Sequence, residues 1–144
     1  MTSQNIVDTT NRPQLGQNEL AAEELRNLVV KGMLEKKGQD VVVMDLRKVN
    51  NAITDFFIIC SGTSDTQIDA IASSVEEEVY KTSKTNPWHR EGQANREWIL
   101  LDYVDVVAHV FKKDRRAFYD LEQLWGDAEI QHIEAEDDLV PQSA

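Results

Sequence analysis

The apolar positions of this chain fall into blocks whose period changes along it. Leu20, Leu25, Leu28, Val29, Gly32 and Met33 recur at helical spacing between about Asn18 and Lys37, which predicts an amphipathic helix with Asn18 as N-cap and Gly38 as its stop. The β-branched run Asp40 to Leu46 then predicts a buried strand, and Asp55 to Cys60, apolar at nearly every position, predicts a second one covered on both faces. Ile68, Ile71, Ala72, Val75 and Val79 return to helical spacing from Asp65 to about Lys84, with Ser64 and Gln67 spaced as a capping box. The polar stretch from Thr82 to Arg96, with Asn86-Pro87 and Gly92, reads as an exposed loop holding a short strand around Trp88 to Glu91. Phe118, Leu121, Leu124 and Trp125 predict a short last helix closing at Gly126.

Between these blocks, Glu97 to Phe111 reads as a hairpin. With Tyr103-Val104 as a two-residue turn, Asp102 faces Asp105, Leu101 faces Val106, Leu100 faces Val107, Ile99 faces Ala108 and Trp98 faces His109. One face is apolar throughout: Ile99, Leu101, Val106, Ala108 and Val110. The other carries Trp98, Leu100, Asp102, Asp105, Val107, His109 and Phe111, a mixture of apolar groups, carboxylates and an imidazole that suits recognition. It can also be a second core face, but two opposed carboxylates are costly to bury without a partner, which favours an outward docking edge with Trp98 and Leu100 as anchors. The order helix, strand, strand, helix, hairpin, helix is that of an α/β (α+β) sandwich with a mixed sheet.

Composition narrows the function. With 26 acidic and 15 basic residues among 144, the net charge of -11 repels phosphate backbones and complements a basic partner. From Asp127 onward every charged side chain is a carboxylate, so residues 131–144 are expected to be a disordered acidic tail. Residues 1–17, rich in Asn, Gln and Thr with Arg12 as the one basic residue, are expected to be a disordered lead, leaving 18–130 as a single domain. No apolar run approaches the roughly 20 residues of a membrane span, and no signal or transit pattern is evident. A lone cysteine, Cys60, excludes an internal disulfide and fits a buried apolar position in a reducing, cytoplasmic setting.

The sequence offers three candidate chemistries. The Ser61-Gly62-Thr63-Ser64 junction resembles a phosphate-cradling helix start, yet no Asp-x-Asp or Asp-x-Glu strand follows to hold magnesium, so a structural cap is the better reading. His89, His109 and His132 are widely spaced and no His-x-x-His or Cys-x-x-Cys occurs, so no metal or other cofactor is expected. The basic run Lys112 to Arg116 lacks interleaved aromatics, so a solvated helix start is the commoner explanation and RNA contact a weak signal.

Several of these motifs together, Asp55 to Ser64 with Gln67, Trp98 to Asp102, Asp105 to Phe111 and Phe118 to Trp125, resemble the ribosomal silencing factor (Iojap-like) family over about Leu20 to Ala128. The resemblance implies a nucleotidyltransferase-like α/β fold that lacks the catalytic carboxylates, hence no enzymatic activity. It further implies binding to the large ribosomal subunit through its ribosomal protein fourteen, which blocks subunit joining and damps translation when nutrients are scarce. The family's Trp-x-Leu-x-Asp surface maps onto Trp98, Leu100 and Asp102; Asp105 and His109 join it through the hairpin geometry. Family members can be homodimers, and a minor ribosomal RNA contact is compatible with the pattern.

Overall fold

The computed structural model of the chain describes residues 12–17, 20–119 and 126–134. In chain order it forms α1 (Ala22–Glu35), β1 (Gln39–Asp45), β2 (Phe56–Gly62), α2 (Asp65–Ser83), β3 (His89–Glu91), β4 (Trp98–Asp102), β5 (Val106–Lys112), α3 (Lys113–Tyr119) and β6 (Glu129–Ile133). The six strands make one mixed sheet in the order β3-β4-β5-β2-β1-β6. Only β2 and β5 run parallel; the other neighbours are antiparallel. The α/β class with a mixed sheet is therefore the observed one.

Local chemistry accounts for the element ends. α1 begins after Ala21, whose extended backbone donates its N–H to Glu24 at 3.4 Å; the expected cap, Asn18, lies outside the described residues. The helix closes with two reversed hydrogen bonds, Gly38 N–H to the Met33 carbonyl at 2.9 Å and Lys37 N–H to that of Leu34 at 3.0 Å. Lys37 takes the left-handed conformation (φ 62°) that such an ending needs, and Gly38 follows it. At the start of α2, Ser64 Oγ accepts the Gln67 N–H at 3.1 Å, while Gln67 Oε1 reaches back to the Thr63 N–H at 2.8 Å. Gln67 Nε2 also donates to the Lys36 and Lys37 carbonyls, so one side chain ties the start of α2 to the end of α1.

Both faces of the sheet are buried. α1 and α2 lie on the same face, where Leu25, Val29, Met33, Ile68, Val75 and Val79 pack on Val41, Val43, Phe56, Ile58, Ile99, Leu101, Ala108 and Val110. The opposite face carries Val42, Met44, Phe57, Ile59, Leu100, Val107 and Phe111, against which loop residues Val49, Ala52 and Ala128 pack, with Trp98 at its border. Alternation along β1 and β4 sorts residues to these two faces, and β2 is buried at every position as its apolar run implied.

One boundary differs from the sequence reading. The sheet continues past residue 130, because β6 pairs with β1 from Asp45↔Glu129 to Val41↔Ile133. Only Ile133 of that strand is buried, so β6 is an edge strand held by backbone hydrogen bonds, and hydrophobic alternation carries no trace of it. The last helix starts at Lys113, directly after β5 and within the basic run read as a helix start; Leu121, Leu124 and Trp125 lie outside the described residues. Among the described residues, no helix is long and apolar enough to cross a membrane.

Cys60 is fully buried in β2 and burial pushes its thiol up to about 12. The native protein is expected to resist alkylation at mildly alkaline pH and to take up one label only after denaturation. Rapid stoichiometric labelling under native conditions, followed by mass spectrometry, would contradict the packing of β2.

Candidate docking site

The hairpin tip is Val104-Asp105 rather than Tyr103-Val104. Tyr103 donates its N–H to the Val106 carbonyl at 2.8 Å, and Asp105 to that of Tyr103 at 2.9 Å. Observed partners are Trp98↔Phe111, Ile99↔Val110, Leu100↔His109, Leu101↔Ala108 and Asp102↔Val107. Each pairing moves by two residues from the expected one; the side-chain period is also two, so the face assignments survive. Ile99, Leu101, Val106, Ala108 and Val110 face the helices, while Leu100, Val107 and Phe111 pack on the other side with Trp98 beside them.

Exposure corrects the outward edge. Trp98 is half-buried, whereas Leu100, Asp102, Asp105 and His109 are buried. The expected cost of burying two carboxylates without a partner does not arise, because partners are present. Asp102 Oδ1 accepts the Val104 N–H at 2.8 Å and the Arg12 guanidinium at 2.7 Å; Asp105 Oδ1 accepts the Gly16 N–H at 2.8 Å. Arg12 also donates to the carbonyls of Ile53 and Val104. Residues 12–17, expected to be disordered, therefore sit on the hairpin tip. Val104 holds a left-handed backbone (φ 75°), a strained state for a β-branched residue, and the Asp102 carboxylate clamps its amide. Burial raises the Asp102 carboxyl above its usual range, opposed by Arg12, the Val104 amide and His89.

At the other end of β4, the Trp98 indole N–H donates to His109 Nδ1 at 3.0 Å and its ring stacks on Phe111 with centroids 5.0 Å apart. Phe57 meets His109 edge-on at 4.6 Å. His109 thus supplies an acceptor to Trp98 and fixes the plane of the indole, the residue of the set with surface left to contact a partner. Burial pushes its imidazole down to about 3, so it stays neutral across the physiological range.

An unfolded His109 regains its ordinary value of 6.5, so below that pH the unfolded chain binds the extra proton. His109 therefore makes the fold lose stability as pH falls from 6.5 toward about 3, at up to about 1.4 kcal/mol per unit. The raised Asp102 carboxyl acts in the opposite direction. Urea melts at several pH values should show His109→Gln, which retains an acceptor for Trp98, losing less stability than the parent in this window. Identical slopes would contradict the burial of a neutral imidazole.

The other candidate chemistries meet their own partners. At the start of α2 the Thr63 and Gln67 amides are already bonded to side chains. In the basic run, Lys112 pairs with Asp65 at 2.6 Å, Arg115 lies 3.6 Å from Glu97, and Arg116 donates to Ser61 Oγ and the Asp40 carbonyl. Among the described residues, no three His, Cys, Asp or Glu side chains converge as metal ligands would.

The family described as "Ribosomal silencing factor during starvation" matches residues 19–144, most of the chain. The chain belongs to the ribosomal silencing factor family. It is 39% identical over 115 residues to ribosomal silencing factor RsfS of Halalkalibacterium halodurans, covering 80% of this chain and 97% of the relative. RsfS of Bacillus subtilis is 36% identical over 100 residues, covering 69% and 83% respectively. A crystal structure of a Chromobacterium violaceum protein superposes with a TM-score of 0.69 at 28% identity, covering 83% of this chain and 98% of that one. Residues 12–17, which cover the hairpin tip, precede the span shared with the silencing factor family.

Proposed function

We propose that this protein is a ribosome-associated silencing factor that docks on the large ribosomal subunit through its ribosomal protein fourteen and sterically prevents the small subunit from joining. The observation that carries the reading is the Trp98–Leu100–Asp102 alternation on the sheet face opposite α1 and α2, in a chain that belongs to this family. On that reading the two helices serve as the rigid backing of the sheet. Trp98 supplies a half-exposed aromatic anchor held by His109 and Phe111, Leu100 supports it from below, and the carboxylates at the hairpin tip select a cationic partner. A net charge of -11 steers the factor toward a basic ribosomal protein and away from bare RNA. No bond is made or broken: occupancy of the joining surface is the whole effect, and the cytoplasm is the setting.

The test pairs binding with consequence. The protein should co-sediment with purified large subunits and not with small ones, and should lower the yield of joined ribosomes in proportion to its occupancy. Stoichiometric binding with undiminished joining would refute the steric mechanism.

A further inference from the structure

The segment at residues 12–17 is tied to the hairpin tip at both of its ends. At one end the Arg12 guanidinium, with its side chain 4% exposed, bonds Asp102 Oδ1 at 2.7 Å and the Val104 carbonyl at 2.8 Å. At the other, the Gly16 N–H bonds Asp105 Oδ1 at 2.8 Å. Both acidic side chains of the tip are thus occupied by groups from the lead. We propose that residues 12–17 are an intramolecular strap that fills the Asp102–Asp105 tip with Arg12 and competes there with the cationic side chain of a docking partner. The proposal rests on the docking reading above and adds its regulation.

Three further features fit a strap that is made to come off. Its packing is loose: a cavity of about 210 Å³ remains between Pro13, Gln14 and Gln17 on the strap and Trp88, Tyr103 and Val104 beneath it. Its one large apolar side chain, Leu15, is 44% exposed, so polar contacts at the two ends rather than apolar burial hold it down. The fit of Arg12 is also incomplete, since its buried Nε has no hydrogen-bond partner among the described residues.

A guanidinium held by a carboxylate and two backbone carbonyls also states what the site accepts: a planar or compact cation carried on a flexible stem. An arginine or lysine of a basic protein has that chemistry. Because only the strap-free fraction can bind, its closure raises the apparent Kd by the reciprocal of that fraction.

The full-length chain, titrated against purified large subunits, provides the test. Arg12→Ala should tighten binding by roughly tenfold or more. Gly16→Pro, which removes the N–H donor to Asp105 and cannot adopt the φ of 85° found there, should tighten it in the same direction while leaving the Arg12 and Asp102 side chains in place. Thermal melts verify that each variant is folded. If Trp98→Ala weakens binding while neither strap variant tightens it, the strap is wrong and the docking face stands. If Trp98→Ala binds like the parent, the docking face is wrong and the strap falls with it.

Discussion

Gly32→Ala should lower the stability of this protein by about 3 kcal/mol or more, although alanine is the better helix former. Gly32 sits in the middle of α1, where helix propensity alone would favour alanine by about 1 kcal/mol. Sterics decide the sign. A Cβ at this position would lie 2.6 Å from Val75 Cα, 2.9 Å from Val75 N and 3.0 Å from the Ser74 carbonyl oxygen, all of them backbone atoms of α2. Backbone cannot swing aside as a side-chain end can, so the two helices must part along the surface that buries Val29, Met33, Ile71 and Val75. Gly62 is a useful contrast, because a Cβ there meets mainly the flexible ends of Ile68, Gln67 and Ile71. Urea denaturation should show the large loss for Gly32→Ala and a smaller one for Gly62→Ala. An unchanged midpoint for Gly32→Ala would mean that α1 and α2 do not approach as described.

Trp98→Ala should cost at least about 2 kcal/mol of large-subunit affinity, roughly thirtyfold in Kd. The indole is the half-exposed aromatic of the docking face, and truncation removes its anchor area and leaves His109 Nδ1 without its donor. The second effect also destabilises the fold, so two variants separate the contributions. Trp98→Phe keeps a ring to stack on Phe111 and lacks the indole N–H. It should remain close to the parent in binding, whereas the alanine variant, still folded at the assay temperature by circular dichroism, should not. Equal, full-strength binding by both would show that Trp98 is no anchor.

Much of this architecture was legible from local pattern, and the misses have physical reasons. The two hairpin faces were recoverable because their period is fixed by the backbone; even a turn misplaced by one residue left Ile99 and Leu101 toward the helices. The Ser64–Gln67 cap was readable because spacing alone specifies it. β6 was not, since an edge strand whose side chains are mostly exposed has no alternation to read. The exposure of Leu100 and Asp102 was misjudged for a different reason. Their cover comes from residues far away in sequence, and nothing near Arg12 announces that its guanidinium will meet Asp102, 90 residues on. The available signal was indirect: one lone cation in a polar lead, and a pair of carboxylates in need of a partner.

The site's central claim is spatial, so a cryo-electron microscopy map of this protein bound to the large ribosomal subunit tests it most directly. Density for the domain is expected against ribosomal protein fourteen, with the Trp98 end of β4 and the Val104–Asp105 tip at the contact and with α1 and α2 turned away. Density elsewhere on the subunit, or with the helix layer at the contact and the hairpin in solvent, would contradict it.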